Sequence, residues 1–269
     1  MDFRKRQNIS LDIVLFGFNG EQLYVLLSKR YLNLYNEEFP VINDWKLVGK
    51  HVLKSERLDA TAKRIFRTLG CNHPPFFHQF RTFGNPKRIN KHKDVLWSES
   101  KQDDPQTLTV GYYALTYIPD FETSGVNIHY AGVEVDGHAD AIAIESIKNP
   151  EYVWFPIDKL PPEKDFAFDH EFIIKEAYQY IKEKFTVAPY VYHLLPAKFT
   201  LNSLLTAYEC VFGTKIDNRN FRKKIISKVY IARLDEKVSL PNSKKPANLY
   251  MFSQDIYDRM LTDKPRNIL

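Results

Sequence analysis

Arg64, Arg67 and Thr68 fall at i, i+3 and i+4 within the stretch Gly49 to Cys71, GKHVLKSERLDATAKRIFRTLGC, so a helix there sets all three side chains on one face. Two guanidinium groups and a hydroxyl at that spacing can grip an anionic ligand, because a guanidinium binds phosphate without a metal. They do not supply the anionic oxygens that a hard cation such as Mg²⁺ needs. The alternative is that Arg64 and Arg67 are solvated surface residues, and the sequence leaves both readings open. A second concentration of chemistry lies near the C-terminus, where Arg219, Asn220, Arg222, Lys223 and Lys224 are followed by Lys244 and Lys245. Arginine and asparagine read guanine and adenine edges in a major groove, and lysines hold phosphates. Two weaker signals are the histidines His73 and His78, which have no carboxylate or cysteine at ligand spacing, and the pair Asp169/His170, which has no third catalytic partner.

The elements that must position these groups follow from periodicity. Leu58, Ala62, Ile65 and Leu69 form one apolar stripe of a helix, with Arg57, Arg64, Arg67 and Thr68 opposite; Ser55 is its expected N-cap and Gly70 its C′ residue. Two apolar runs flank Asn19-Gly20 and predict a hairpin, Asp12–Phe18 with Gln22–Ser28. Trp45 to Val48 is a short strand leading into a loop at Gly49. Phe76–Phe83 and Thr107–Ile118 are strands. The charged, turn-rich stretch from Gly84 to Gln106 between them reads as an insertion, a candidate for mobility. A β-prone region, Gly125–Ile147, includes ADAIAIESI, expected as a strand covered on both faces. Glu151–Ile157 then precedes a helix with Phe172, Ile173, Ala177 and Ile181 on one side and Asp169 as its cap.

Past Val191 the pattern changes. Thr200 is an N-cap for a helix striped by Leu201, Leu204, Leu205, Tyr208 and Val211 and ended by Gly213. A short turn leads to a second helix, from about Asp217 to Lys228, with Phe221, Ile225 and Val229 as its inner face. Ile231–Leu234 and Leu249–Phe252 can pair as a hairpin with Asn242, Lys244 and Lys245 at its tip.

Composition bounds the class. With 269 residues and 44% apolar content, the chain suits one large or two medium domains. Two distant cysteines, Cys71 and Cys210, argue against a disulfide framework or a cysteine zinc site and fit a reducing cytoplasm. No eighteen apolar residues run together, so no membrane partner is expected. From Val191 onward there are 14 Lys+Arg and 7 Asp+Glu, against 24 and 26 before it. The whole positive charge is therefore owed to the tail, which points to a polyanion partner, most simply DNA.

These residues carry a resemblance. The stretch Gly49–Cys71 matches the spacing of the Nudix hydrolase signature, G-x5-E-x7-R-E-U-x-E-E-x-G-U with U a bulky aliphatic, without insertion or deletion. Gly49, Ile65, Gly70 and Cys71 keep their places. Ser55 replaces the first glutamate, Lys63 the arginine, and Arg64, Arg67 and Thr68 the three helical glutamates that hold Mg²⁺ in that family. The segment from about 194 to 252 resembles the winged helix-turn-helix joined to Nudix-like domains in the Nudix-related transcriptional regulators. In those regulators the strand matching Phe76–Phe83 is followed by an arginine-and-aspartate turn, which NPKRINK keeps poorly.

The resemblance implies an α/β fold, a Nudix α/β/α sandwich over residues 8–188 with the insertion at about 84–106. A small winged helix-turn-helix domain at 191–255 and a C-terminal tail at 256–269 follow it. It implies a ligand cleft at Gly49, Lys50, Arg64, Arg67 and Thr68, and DNA contacts from Thr200, Arg219, Asn220, Arg222, Lys223, Lys224, Lys244 and Lys245. The partners implied are a double-stranded DNA operator, a second copy of the chain in a homodimer, and a small effector: a sugar, a sugar phosphate or an ADP-ribose-like metabolite. No catalytic residue, metal or cofactor is expected. Two other functions stay open: a Nudix-type nucleoside-diphosphate hydrolase using displaced acids such as Glu56 or Asp59, and a scaffold whose basic tail clamps a dimer or binds protein or RNA.

Overall fold

Strand β1 (Lys5–Phe18) is the structural centre of the N-terminal part of the chain, because its run of Leu11, Ile13, Val14, Leu15, Phe16 and Phe18 is buried on both faces, as a strand covered from both sides must be. A computed structural model describes residues 5–33, 41–100, 107–121, 126–131, 151–239 and 245–263. Within these, the chain divides into two compact units. One comprises Met1–Gly17, Tyr24–Leu115 and Phe121–Ala177, and the other Phe18–Leu23, Thr116–Asp120 and Tyr178–Leu269.

An eight-stranded sheet runs β5-β6-β1-β2-β8-β7, with β3 added on β2 and β4 on β1. Its strands are β2 (Leu23–Asn33), β3 (Val41–Lys46), β4 (Val48–Leu53), β5 (Phe76–Phe83), β6 (Leu108–Tyr117), β7 (Ile128–Tyr130) and β8 (Tyr152–Pro156). The segment ADAIAIESI lies outside the described residues. Gly49 lies inside β4, paired with Asp12, and not in a loop after a strand at Trp45–Val48. The connection expected between Phe18 and Gln22 runs on to Leu23: the Asn19 side chain accepts the N–H groups of Glu21 and Gln22 at 2.9 Å each, an Asx turn that holds the connection while Gly20 takes φ 104°.

Helix α1 (Leu58–Thr68) buries Thr61, Ala62, Ile65 and Phe66. Ser55 does not cap it. Arg57 holds the N-cap position without a side-chain bond, because Glu56 N–H closes a turn on Leu53 O at 3.0 Å and starts the helix two residues later. Gly70 has φ 70°, as its C′ role requires. Residues His92–Ser100, within the stretch read as an insertion, form helix α2. Helix α3 (His170–Val187) buries Ile173, Ile174, Ala177, Ile181 and Phe185, while Phe172 is 48% exposed and off the inner stripe.

In the second unit, α4 (Leu201–Phe212) is held by a capping box in which the Thr200 hydroxyl accepts Ser203 N–H and the Ser203 hydroxyl accepts Thr200 N–H. Gly213 ends it in the left-handed region. Glu209 fixes the turn that follows, accepting Ile216 N–H at 3.0 Å and the Lys215 ammonium at 2.8 Å. Asp217 then caps α5 (Asn218–Ile226) through Asn220 N–H. Phe221 and Ile225 face inward; Val229, expected beside them, is 68% exposed, because the helix stops at Ile226 and the chain turns before Val229. Strands β9 (Ile231–Val238) and β10 (Ala247–Phe252) pair antiparallel, and α6 (Gln254–Asp263) follows. The aromatic core of this unit stacks Tyr192 on Phe252 at 4.4 Å and sets Tyr208 edge-on to Phe221.

Candidate functional site

The sheet of the first unit opens into a cavity of about 310 Å³. Strand β1 contributes Ser10 and Asp12, the β3–β4 turn Lys46 and Leu47, and β4 Gly49, Lys50 and His51. The segment around α2 adds Arg88, Ile89, Trp97 and Ser98, β6 and its approach add Thr107 and Thr109, and the start of α3 adds Phe168 and His170. Gly49 is required where it stands: a Cβ there would overlap the Asp12 carboxylate.

Charge in the lining is one-sided. Burial pushes Asp12 up to about 6, overcoming the pull of Arg88 and Lys46 and its bond to Thr109. Burial holds the Lys46 ammonium below its usual value despite Asp12, and neighbouring Arg30 and Lys50 push it the same way. Lys50, at the rim, is lowered by desolvation and by Arg64. His170 is held well below its ordinary range by burial and then by Lys46 and Arg88, so its imidazole is neutral. Its Nδ1 accepts Leu47 N–H at 2.9 Å, which leaves the ring proton on Nε2, 3.8 Å from an Asp12 oxygen.

Arg88 is the most heavily engaged group of the wall. Its Nε and Nη2 donate to the two Asp169 oxygens at 2.8 and 2.6 Å, and Nη1 donates to Thr109 Oγ1 at 2.8 Å and Thr107 O at 3.1 Å. Asp169, expected as a helix cap, therefore gives its carboxylate to Arg88. Behind the wall, Arg30 is wholly buried, with Asp44 bound at both oxygens and Asp94 at 2.6 Å. The rings of Trp97 and Phe168 lie over its guanidinium. Asp94 also accepts Phe168 N–H at 2.8 Å, and Phe168 sits at φ 52°, an uncommon conformation for a bulky residue. Lys93 bonds Asp44, and Lys91 bonds the Glu163 and Phe166 carbonyls. These bonds pin α2 over the cavity.

Of the five residues that the sequence assigned to a cleft, Gly49 and Lys50 line this cavity; Arg64, Arg67 and Thr68 lie outside the lining. Arg64 turns instead onto Glu56, at 2.7 and 2.9 Å, and onto His51 O at 2.8 Å. Glu56, itself buried, is held well into its ionised form by Arg64. Thr68 donates to Ile65 O at 2.7 Å, and Arg67 is exposed. The residues that sequence reasoning missed are Ser10, Asp12, Lys46, Arg88 and Thr109, while His170, weighed there only as a catalytic partner of Asp169, joins the lining. Asp12 had a signal, as a lone carboxylate inside the apolar run SLDIVLFGF. Among the described residues no three His, Cys, Asp or Glu side chains gather as a metal site would need.

In the second unit, Arg219, Asn220, Arg222, Lys223 and Lys224 are all exposed on α5, opposite buried Phe221 and Ile225. Arg222 Nε donates to Asn218 Oδ1 at 2.6 Å, laying the side chain along the helix. Thr200 is buried and serves the capping box. Lys245 is exposed beside β10; Lys244 and Asn242 lie outside the described residues.

Residues 191–252 match the family profile of the NrtR DNA-binding winged helix domain. The crystal structure of Shewanella oneidensis NrtR with a 27mer DNA is similar over 94% of this chain and 96% of that one, with TM-score 0.63 and 24% identity. The chain is thus similar in fold to NrtR, and its C-terminal part carries the match to that winged helix domain. The chain is also similar in fold to a MutT/nudix family protein from Enterococcus faecalis, with TM-score 0.60 and 20% identity over 93% of this chain and 89% of that one. In sequence, the chain is 24% identical to the ADPR responsive transcriptional repressor NtrR of Acinetobacter baylyi, over 93% of this chain and 84% of that protein. Among its described residues no helix is long and apolar enough to cross a membrane.

Proposed function

We propose that this regulator binds a DNA operator as a homodimer in the cytoplasm and that a phosphorylated small molecule held in the Nudix-like unit adjusts that binding. The observation that carries the reading is α5: a capped helix with a buried apolar face and an outer face made of Arg219, Asn220, Arg222, Lys223 and Lys224. A helix of this size fits the major groove, where those side chain types read base edges and grip phosphates. The β9–β10 hairpin is the wing, with exposed Lys245 set to touch the DNA backbone. Two such helices in a dimer would contact half-sites about one DNA turn apart.

For the effector, an ADP-ribose-like metabolite is preferred over a neutral sugar, because the cavity carries Lys46, Lys50 and Arg88 and because the Acinetobacter relative is named as ADPR responsive. The effector must bind one dimer arrangement better than the other in order to shift DNA affinity. Hydrolysis is not part of this reading, since Ser55, Arg64, Arg67 and Thr68 occupy the places at which a Nudix enzyme carries glutamates.

A gel shift with the DNA upstream of its own gene tests the proposal. Wild type forms a discrete complex, and Arg222→Ala weakens it by tenfold or more while far-UV circular dichroism is unchanged, on the order of 1–3 kcal/mol for one base contact. Unaltered binding by Arg222→Ala would remove α5 from the interface.

A further inference from the structure

The bonding of Arg88 has a feature that a purely structural residue does not need. Its Nε/Nη2 fork, the edge of a guanidinium that grips a phosphate bidentately, is taken by Asp169, while Nη1 is anchored on Thr109 and Thr107. Arg88 also lines the cavity. The anchoring holds the guanidinium in place whichever anion occupies the fork. Asp169 directly precedes the first residue of α3, the position from which a carboxylate can cap the first-turn N–H groups. It therefore has a second place to go.

We propose that the cavity seats the phosphate of its ligand among Lys46, Lys50 and Arg88, and that this phosphate displaces Asp169 from the Arg88 fork onto the start of α3. The inference rests on the reading of the Nudix-like unit as a ligand sensor. Three cationic side chains face the cavity against one carboxylate, Asp12, with Asp169 engaged outside the lining. Burial weakens the charged forms of Lys46 and Lys50, helped by Arg30 and Lys50 at Lys46 and by Arg64 at Lys50, and a bound anion would offset this. His170 remains neutral beside them and adds no competing charge.

The test is isothermal titration of the full chain with inorganic pyrophosphate and with ADP-ribose, using ribose as an uncharged control. Both phosphate-bearing probes are expected to saturate wild type and ribose is not. Arg88→Gln and the rim variant Lys50→Ala weaken the probes, Arg88→Gln by about tenfold or more. Asp169→Asn is near-isosteric and removes the competitor, so it tightens both probes severalfold, whereas a supporting role for Asp169 would weaken them. Probe affinity of Asp169→Asn equal to or below wild type overturns the inference, as does a wild type that neither phosphate-bearing probe saturates. Gel shifts run on the same samples judge the regulator reading separately: lost DNA binding strikes that reading, while the titration alone decides the exchange at Arg88.

Discussion

Asp12 and His170 lie side by side in the cavity wall, 3.8 Å apart, and their pKa values move in opposite directions. Asp12 has its folded pKa raised from 3.8 to about 6, so the folded state holds a proton that the unfolded chain releases. Its favourable contribution is present below 3.8 and is lost as pH rises through about 6. His170, held neutral with its pKa lowered well below 6.5, costs stability when the unfolded chain takes up a proton below that pH. Glu56, lowered chiefly by its bond to Arg64, contributes above 4.5 and loses that contribution as pH falls through its folded value. Asp12→Asn should therefore stabilise the protein by about 2–3 kcal/mol at about pH 7.5, the gain fading towards about pH 4. Urea unfolding across that range checks it; a gain independent of pH would assign the effect to packing and not to charge.

Helix α2 shows what buried charge does for an element. Its own apolar periodicity is weak, and the fold holds it through Asp94 on Arg30 and Phe168 N–H and through Lys93 on Asp44. Removing Asp94 leaves Arg30 with Asp44 alone and Phe168 N–H without its acceptor. Asp94→Ala is expected to cost about 1–3 kcal/mol and to release α2 first, so that limited proteolysis cuts within residues 85–100 at denaturant concentrations that leave the sheet folded. Cleavage appearing only with global unfolding would show that α2 is held by apolar packing instead. Helix α5 is built the other way, by local signals: the Asp217 cap, the Glu209 clasp on the preceding turn, and an inner face of only Phe221 and Ile225. That economy leaves nearly all of its polar surface outward.

At the scale of the whole molecule, the charge is divided by function. The second unit contains the residues from Val191 onward, which carry all of the net positive charge, and α5 concentrates it. DNA binding of this kind releases counterions, so affinity should fall steeply with salt, with a log–log slope of about −0.9 for each phosphate neutralised. Lys224→Ala should reduce that slope by about 1 while weakening all DNA sequences alike, as measured by fluorescence anisotropy over a salt series. A slope unchanged by the substitution would take Lys224 off the backbone.

Local order was legible in the sequence. Strand β5 has the predicted bounds, Gly70 and Gly213 end their helices with positive φ, and Thr200 caps α4 as its spacing to Ser203 allows. All of these depend on residues within one or two turns of each other. The cavity could not be read in that way, because Asp12, Lys46, Arg88, Thr109 and His170 meet only when β1, β3 and β6 join one sheet and the start of α3 reaches Leu47 N–H. Sequence spacing set Arg64, Arg67 and Thr68 on one helix face, and that holds. The partner that Arg64 takes was decided by Glu56, which the Leu53 turn brings within reach of its guanidinium. The type and periodicity of side chains determined the elements; non-local pairing of strands determined which charges share a cavity.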